Sequence, residues 1–326
     1  MTELDLTLLL AAVVAGAAPV VLAALGETLT EKAGLINLSL DGTILLAAMG
    51  AFAASYLTGA LWAGFAVGAA LGAAVALLVA LAGVYLGLSQ VAVGFVLTLT
   101  CRDLAYFLGN PYSRLQGPQV VPWPVPFLAD LPGVGTVLFR QTPVVYASLL
   151  LIPALWALLY RTRWGLQVRA VGENPAAAYA RGFDPRRVQV LCALLGGALV
   201  GLAGAAFSLA VKPGWGRPQG AEGMGWIALA LVIFGGWHPA RVALGAYLFA
   251  LLQVVGIPLQ GLFPSVPAQV FQVAPFPLMI FTLLLLHLSE TEGIRRWAEG
   301  SPRRRRLVSL LGASAPRALG RPFRKS

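Results

Sequence analysis

Charged residues are scarce in this sequence: Asp, Glu, Lys and Arg make up only 11% of its 326 residues, against about 25% in an average soluble domain. Hydrophobic residues account for 58% of the chain, and the mean hydropathy is +0.80. A helix needs about 20 apolar residues to cross the hydrocarbon layer of a membrane, and runs of that length fill most of the chain. The composition therefore excludes a soluble globular domain and predicts a multi-pass protein of the cell membrane.

Residues that usually carry chemistry are also rare. The chain has two histidines and two cysteines, and members of each pair lie far apart: His238, His287, Cys101 and Cys192. None of the HExxH, CxxC or GxSxG patterns occurs, so the sequence predicts no catalytic residue, no metal site and no enzyme activity. Each of the three lysines lacks the preceding glycine of the GxxxxGK[ST] loop, so the chain is not expected to bind ATP or another cofactor itself.

The apolar runs predict an all-α bundle of about nine membrane spans (about 8 to 10), because helices satisfy their own backbone in lipid. The predicted spans are residues 6–25, 35–57, 61–86, 91–108, 143–160, 188–210, 226–234, 241–255 and 270–288. Residues 1–288 would form one membrane domain. Residues 289–326 would form a basic, flexible cytoplasmic tail that lies beside anionic lipid and binds no nucleic acid.

Lysine and arginine fall mostly on one side of the predicted membrane. With the amino terminus outside, 18 of the 23 Lys and Arg residues lie in cytoplasmic segments, 4 lie in exterior segments and Arg102 lies within a span. Cytoplasmic loops carry the excess of positive charge, so we expect this orientation. The long exterior loop is then residues 109–142, and the long cytoplasmic loop is residues 161–187.

A polar break follows an apolar run in each half of the chain. "GETLTEKAGLINLSLDG" follows the first span, and "KPGWGRPQGAEGMG" follows the span 188–210. Paired interruptions of this kind are typical of transporters built from repeats, so a discontinuous or polar-interrupted helix is predicted in each half. In the first break, Glu27, Glu31 and Lys32 are expected on the cytoplasmic side, where water or partner groups can solvate them, and Asp41 alone is expected inside the following span.

Two further patterns predict local structure. Small residues recur every four positions, at Gly64, Gly68 and Gly72 and at Gly197 and Gly201, which favours close helix packing in lipid. The loop 161–187 contains a predicted short helix that begins at Pro175, is capped by Asn174 and stops at Gly182.

Four segments, in order, carry a resemblance to a known family. They are "GETLTEKAGLINLSLDGTILLAAMGAFAA", "SQVAVGFVLTL", "TRWGLQVRAVGENPAAAYARGFD" and "GMGWIALALVIFGGWHPARVALGAYLFALLQ". From about Leu6 to Leu288 the chain resembles the permease subunits of nucleoside-type ABC importers, within the ribose and branched-chain amino acid permease superfamily. The basic tail lies outside this resemblance.

The resemblance implies a transport subunit with several partners. These are a second related permease, two cytoplasmic ATPase subunits that bind ATP and Mg, an extracytoplasmic substrate-binding lipoprotein and the surrounding membrane lipids. It also places "VGENPAAA" in the segment that docks on the ATPase, so the predicted coupling residues are Gly172, Glu173, Asn174, Pro175 and Ala176.

The resemblance also places "LINLSLDG" and "SQVAVG" beside the translocation path. Asn37, Ser39, Asp41 and Gln90 are therefore predicted to line a path that opens by alternating access. The resemblance favours nucleosides as the solute, with a sugar or a branched-chain amino acid as the alternative. An uncoupled channel or secondary carrier is the second functional class.

Overall fold

The computed structural model describes residues 3–262, 277, 315–321 and 323. Throughout this part of the chain the regular structure is helical, and no strand occurs. The helices are α1 (Glu3–Lys32), α2 (Leu40–Thr58), α3 (Leu61–Ala80), α4 (Gln90–Gly109), α5 (Pro143–Arg161), α6 (Arg163–Glu173), α7 (Pro175–Ala180), α8 (Pro185–Ala206), α9 (Met224–Phe234) and α10 (Pro239–Leu262). π-Helical turns, Leu81–Tyr85 and Phe207–Val211, extend α3 and α8. The predicted all-α fold is confirmed.

Seven helices in the described part are long and apolar enough to cross a membrane: α1 to α5, α8 and α10. The predicted count of about nine is not confirmed. α9, which the sequence predicts as a span, has 11 residues and is about 16 Å long, roughly half of the hydrocarbon layer. The predicted span 270–288 lies outside the described residues, apart from residue 277.

The first polar break is shorter than predicted. α1 continues to Lys32, so only residues 33–39 are non-helical before α2. The expected end of the first span at Leu25 was therefore wrong. The physical reason is that residues 27–33 contain no glycine or proline to end the helix, and that Gly34, at φ +86°, is the first residue in the left-handed region. The second break, residues 212–223, separates the extended α8 from α9.

Helices α3 and α8 pack at backbone distance through their glycines. A Cβ at Gly72 would overlap the carbonyl oxygen of Gly197, and a Cβ at Gly201 would overlap that of Gly68. Side chains at these positions would push the helices apart, so the prediction of close packing is confirmed. This pair anchors the bundle beside α1 and α2.

The loops lie at two ends of the bundle. At one end, Gly172 lies so close to the carbonyl oxygen of Lys32 that a Cβ would overlap it. At the other end, the backbone N–H of Arg114 donates to the carbonyl oxygen of Trp215 at 3.0 Å. The first contact joins loops that the predicted topology puts in the cytoplasm, and the second joins loops that it puts outside.

Candidate translocation and coupling site

The link between α1 and α2, residues 33–39, is a non-helical stretch that folds back along the end of α1. The backbone N–H of Asn37 donates to Oε1 of Glu27, a residue of α1, at 3.1 Å. Helix α4 satisfies two more groups: Gln90 Oε1 accepts from Ile36 N at 2.9 Å, and Thr98 Oγ1 donates to Leu38 O at 2.6 Å. Irregular backbone between membrane spans needs such partners because lipid provides none.

The four predicted path residues are brought together on this link and beside it. Asn37 Oδ1 accepts from both the N–H and the hydroxyl of Ser39, at 3.1 and 2.6 Å. Asp41, in the first turn of α2, accepts through Oδ1 from the backbone N–H of Gly225 at 3.1 Å. Asn37, Ser39, Asp41 and Gln90 are at most 6% exposed. In the single chain their side chains hold backbone groups, and contact with a solute stays a prediction.

The sequence predicts either water or partner groups around Glu27 and Glu31, and the described structure provides partner groups. Both lie on α1 and are buried, with exposures of 0% and 4%. Oε2 of Glu31 accepts a hydrogen bond from the indole N–H of Trp237, in the turn between α9 and α10. The link and the α9–α10 turn cover this face of α1, so partner groups and not water solvate the two carboxylates. The two carboxylates tie α1 to these two neighbours.

The cytoplasmic loop forms two short helices, α6 and α7. Asn174 Oδ1 accepts the backbone N–H of Ala177 at 3.0 Å and caps α7, and Pro175 occupies the first helical position. Gly182 adopts φ +87° just after α7. The predicted cap, start and stop are confirmed. Glu173, Asn174 and Ala176 are exposed, so this turn presents a rigid surface at the end of the bundle.

Gly172 connects this loop to the link. It lies in the last turn of α6, and the space for a Cβ is occupied by the carbonyl oxygen of Lys32. One residue beyond Lys32, Ala33 O accepts a hydrogen bond from Nε2 of Gln189, on α8, at 3.2 Å. A Cβ at Gly172 would also lie 3.4 Å from the backbone nitrogen of Gly34, so Gly172 packs against the start of the link. A displacement of α6 would press on the residues that lead into it.

A second polar cluster closes the opposite end. Glu222 accepts hydrogen bonds from the Tyr106 hydroxyl and from the backbone N–H groups of Gln219 and Gly220, the last two at 2.8 and 2.6 Å. Burial alone raises the pKa of Glu222, but these hydrogen bonds outweigh it and hold the pKa below its ordinary value. Arg217 lies over the Tyr106 ring, 4.9 Å from its centroid. The cluster fixes the loop 212–223 to α4.

Sequence reasoning did not assign Glu27, Glu31 or Thr98 to this site. One signal was present for the first two. Glu27 and Glu31 are four residues apart, with no glycine or proline between them, and would lie on one face of a helix. That spacing favours a continuous α1 with both carboxylates on a shared face. Nothing in the sequence places Thr98 beside Leu38.

The described structure defines an all-helical protein with seven helices able to cross a membrane and with polar breaks between its helices. A family model described as the permease component of the branched-chain amino acid transport system matches residues 9–283. The chain belongs to this family of ABC transporter permeases and is therefore a multi-pass membrane subunit that is not itself an enzyme.

Named relatives cover most of the chain. A putative glucose ABC transporter permease of Haloferax volcanii is 40% identical over 78% of this chain and 78% of its own length. A nucleoside ABC transporter permease of Lactococcus lactis is 30% identical over 86% of this chain and 92% of its own. A guanosine ABC transporter permease of Bacillus subtilis is 29% identical over 85% and 91%. No solved structure matches the chain.

Proposed function

We propose that this chain is the permease subunit of an ABC importer that moves nucleosides inward by alternating access. Its partners are a second related permease, two ATPase subunits that bind ATP and Mg, and a substrate-binding lipoprotein outside the membrane. Residues 1–288 form the permease domain, and residues 289–326 form a cytoplasmic tail. Membership of the permease family supports the transport role, and the described helices support its setting in lipid.

The contact between Gly172 and Lys32 carries the proposed coupling. Residues 172–176 dock on the ATPase through the exposed turn at Glu173, Asn174 and Ala176. When the ATPase subunits close, they displace this turn and α6. Because Gly172 lies directly against the carbonyl oxygen of Lys32, the displacement reaches the link. A chain with no ATP-binding loop of its own is energised in this way.

The link forms part of the wall of the translocation path. Asn37, Ser39, Asp41 and Gln90 act there by holding non-helical backbone in place, and the moving link exposes or covers that wall. A backbone held by side-chain hydrogen bonds can change partners more readily than a continuous helix. This supports a gating role for residues 33–39.

The choice of solute rests on the named relatives. Relatives named for nucleoside and guanosine transport cover more than four fifths of the chain, which supports a nucleoside. A sugar is the second candidate because the putative glucose permease has the higher identity, 40%. The side chains on and around the link carry amide, carboxylate and hydroxyl groups, which suit a polyhydroxylated solute of either kind.

Uptake by the reconstituted complex tests this proposal. The chain is reconstituted with its partner subunits and lipoprotein in proteoliposomes. Uptake of labelled guanosine, glucose and leucine is then measured with and without ATP on the side of the membrane that carries the ATPase subunits. We expect ATP-dependent guanosine uptake. ATP-dependent glucose uptake alone would replace the nucleoside by the sugar, and uptake that follows an ion gradient without ATP would contradict the importer.

A further inference from the structure

Residues 315–321 and 323 lie against the cytoplasmic loop, and we name these residues the C-terminal strap. The backbone N–H of Ala318 donates to the carbonyl oxygen of Gly172 at 2.9 Å. Two residues later, the N–H of Gly320 donates to the carbonyl oxygen of Gly34, also at 2.9 Å. The strap thus bonds α6 on one side and the link on the other.

These bonds satisfy groups that need a partner. Gly172 is in the last turn of α6, where carbonyl oxygens find no N–H donor within the helix. Ala318 is 6% exposed, so its N–H also requires an acceptor. Gly320 adopts φ +72°, and a Cβ there would lie 2.8 Å from Cδ1 of Ile36. Because this glycine packs closely against Ile36, the strap has a defined position on the link.

Side chains also join the strap to α7 and to the predicted coupling residues 172–176, which we call the coupling turn. The Phe323 and Tyr179 rings lie 5.5 Å apart, and Nε of Arg317 is 3.9 Å from Oε2 of Glu173. The strap does not cover the coupling turn, because Glu173, Asn174 and Ala176 remain exposed beside it. The strap and the turn therefore form one continuous surface.

We propose that the C-terminal strap is part of the surface that docks the ATPase subunit, a proposal that rests on the function proposed above. The ATPase subunit would recognise the strap by its fixed shape and by its charge. Arg317 and Arg321 are exposed on the strap, so the facing surface of the ATPase is acidic. Exposed ion pairs contribute little each, and the main contribution of the strap is a second rigid contact that holds α6 against the link.

Co-purification of the ATPase tests the strap. The tagged permease is co-expressed with its partner permease and ATPase subunits, and the retained ATPase is quantified for four chains: the full chain, a chain that ends at residue 314, Ala318→Pro, and a control with Arg303, Arg304, Arg305 and Arg306 changed to serine. Ala318→Pro removes the N–H that bonds Gly172, and it also fixes φ at this position. The control removes basic charge of the tail but keeps the strap. Retention of the partner permease reports correct folding.

We expect the truncated chain and Ala318→Pro to retain about fivefold less ATPase while they keep the partner permease, and the control to match the full chain. Equal retention by the truncated chain would overturn the strap alone, and so would higher retention, because the strap would then obstruct the partner. Loss in the serine control equal to that in the truncated chain would assign the effect to bulk charge and overturn the strap. No ATPase with any chain would overturn the proposed function and the strap together.

Discussion

The carboxylate of Asp41 accepts a hydrogen bond from the backbone N–H of Gly225 at 3.1 Å, across 184 residues of sequence. Asp41 is in the first turn of α2, after the first polar break, and Gly225 is in the first turn of α9, after the second. The two helices that restart after the breaks therefore begin side by side. A Cβ at Gly225 would overlap the backbone of Asp41, so only glycine permits this contact.

Substitution of Asp41 should distinguish its acceptor oxygen from its charge. Asp41→Ala leaves the N–H of Gly225 unpaired in a buried site, which costs about 1–3 kcal/mol, whereas Asp41→Asn keeps an acceptor. We expect Asp41→Ala to lower the thermal stability of the purified chain and to abolish uptake, and Asp41→Asn to keep most of both. Equal loss in the two variants would show that the charge, and not the hydrogen bond, matters.

Glu27 is expected to stabilise the link through the N–H of Asn37. Glu27→Ala removes the acceptor of a buried backbone group and should destabilise the fold by about 1–3 kcal/mol. Glu27→Gln keeps an oxygen at nearly the same place and should be close to the native chain. Thermal unfolding in detergent measures both. Similar stability of Glu27→Ala and the native chain would contradict the assigned role.

The cap of α7 offers a test of the coupling turn. Asn174→Ala removes the acceptor for Ala177 N and should cost about 1 kcal/mol of helix stability, which loosens the docking surface. Asn174→Ser keeps a capping oxygen and serves as the matched control. We expect ATP hydrolysis by the complex with Asn174→Ala to continue while uptake falls several-fold, and Asn174→Ser to keep both. The account fails here if the alanine variant transports normally.

Glu222 should make stability depend on pH at the exterior end. Its hydrogen bonds lower its pKa in the folded chain, so its contribution is full above the ordinary carboxyl pKa and is lost as pH falls through the lowered value. Between neutral pH and acidic pH, the melting temperature of the native chain should fall more than that of Glu222→Gln. Parallel melting curves over this range would show that Glu222 contributes no such stability.

The sequence predicts the helical class, close packing at the glycines of two spans and the capped helix α7 because each depends on local spacing. The four-residue repeats that contain Gly68 and Gly201 were enough to predict close packing of each helix, but not that α3 and α8 contact each other. The extent of α1 was mispredicted because the polar residues Glu27 and Glu31 resemble a loop by composition. Their burial depends on Trp237 and on the link, which only the folded chain brings to α1.

The candidate site depends on contacts between distant segments, and for that reason much of it could not be predicted. The resemblance selected Asn37 and Gln90, but the bond from Ile36 N to Gln90 Oε1 joins residues 54 positions apart. No local spacing of residues predicts that the C-terminal strap bonds to Gly34 and Gly172. The basic composition of the tail does not indicate that the backbone N–H groups of Ala318 and Gly320 donate to Gly172 and Gly34.

Coupling through the contact between Gly172 and Lys32 is tested by the ratio of solute uptake to ATP hydrolysis in proteoliposomes, measured for Gly172→Ala. The added methyl group would overlap the carbonyl oxygen of Lys32 and disturb the contact between α6 and the link. Gly16→Ala is the matched control, since no atom lies within 4 Å of a Cβ there. We predict that Gly172→Ala lowers the ratio several-fold while Gly16→Ala leaves it unchanged. A native ratio in Gly172→Ala would contradict coupling through this contact.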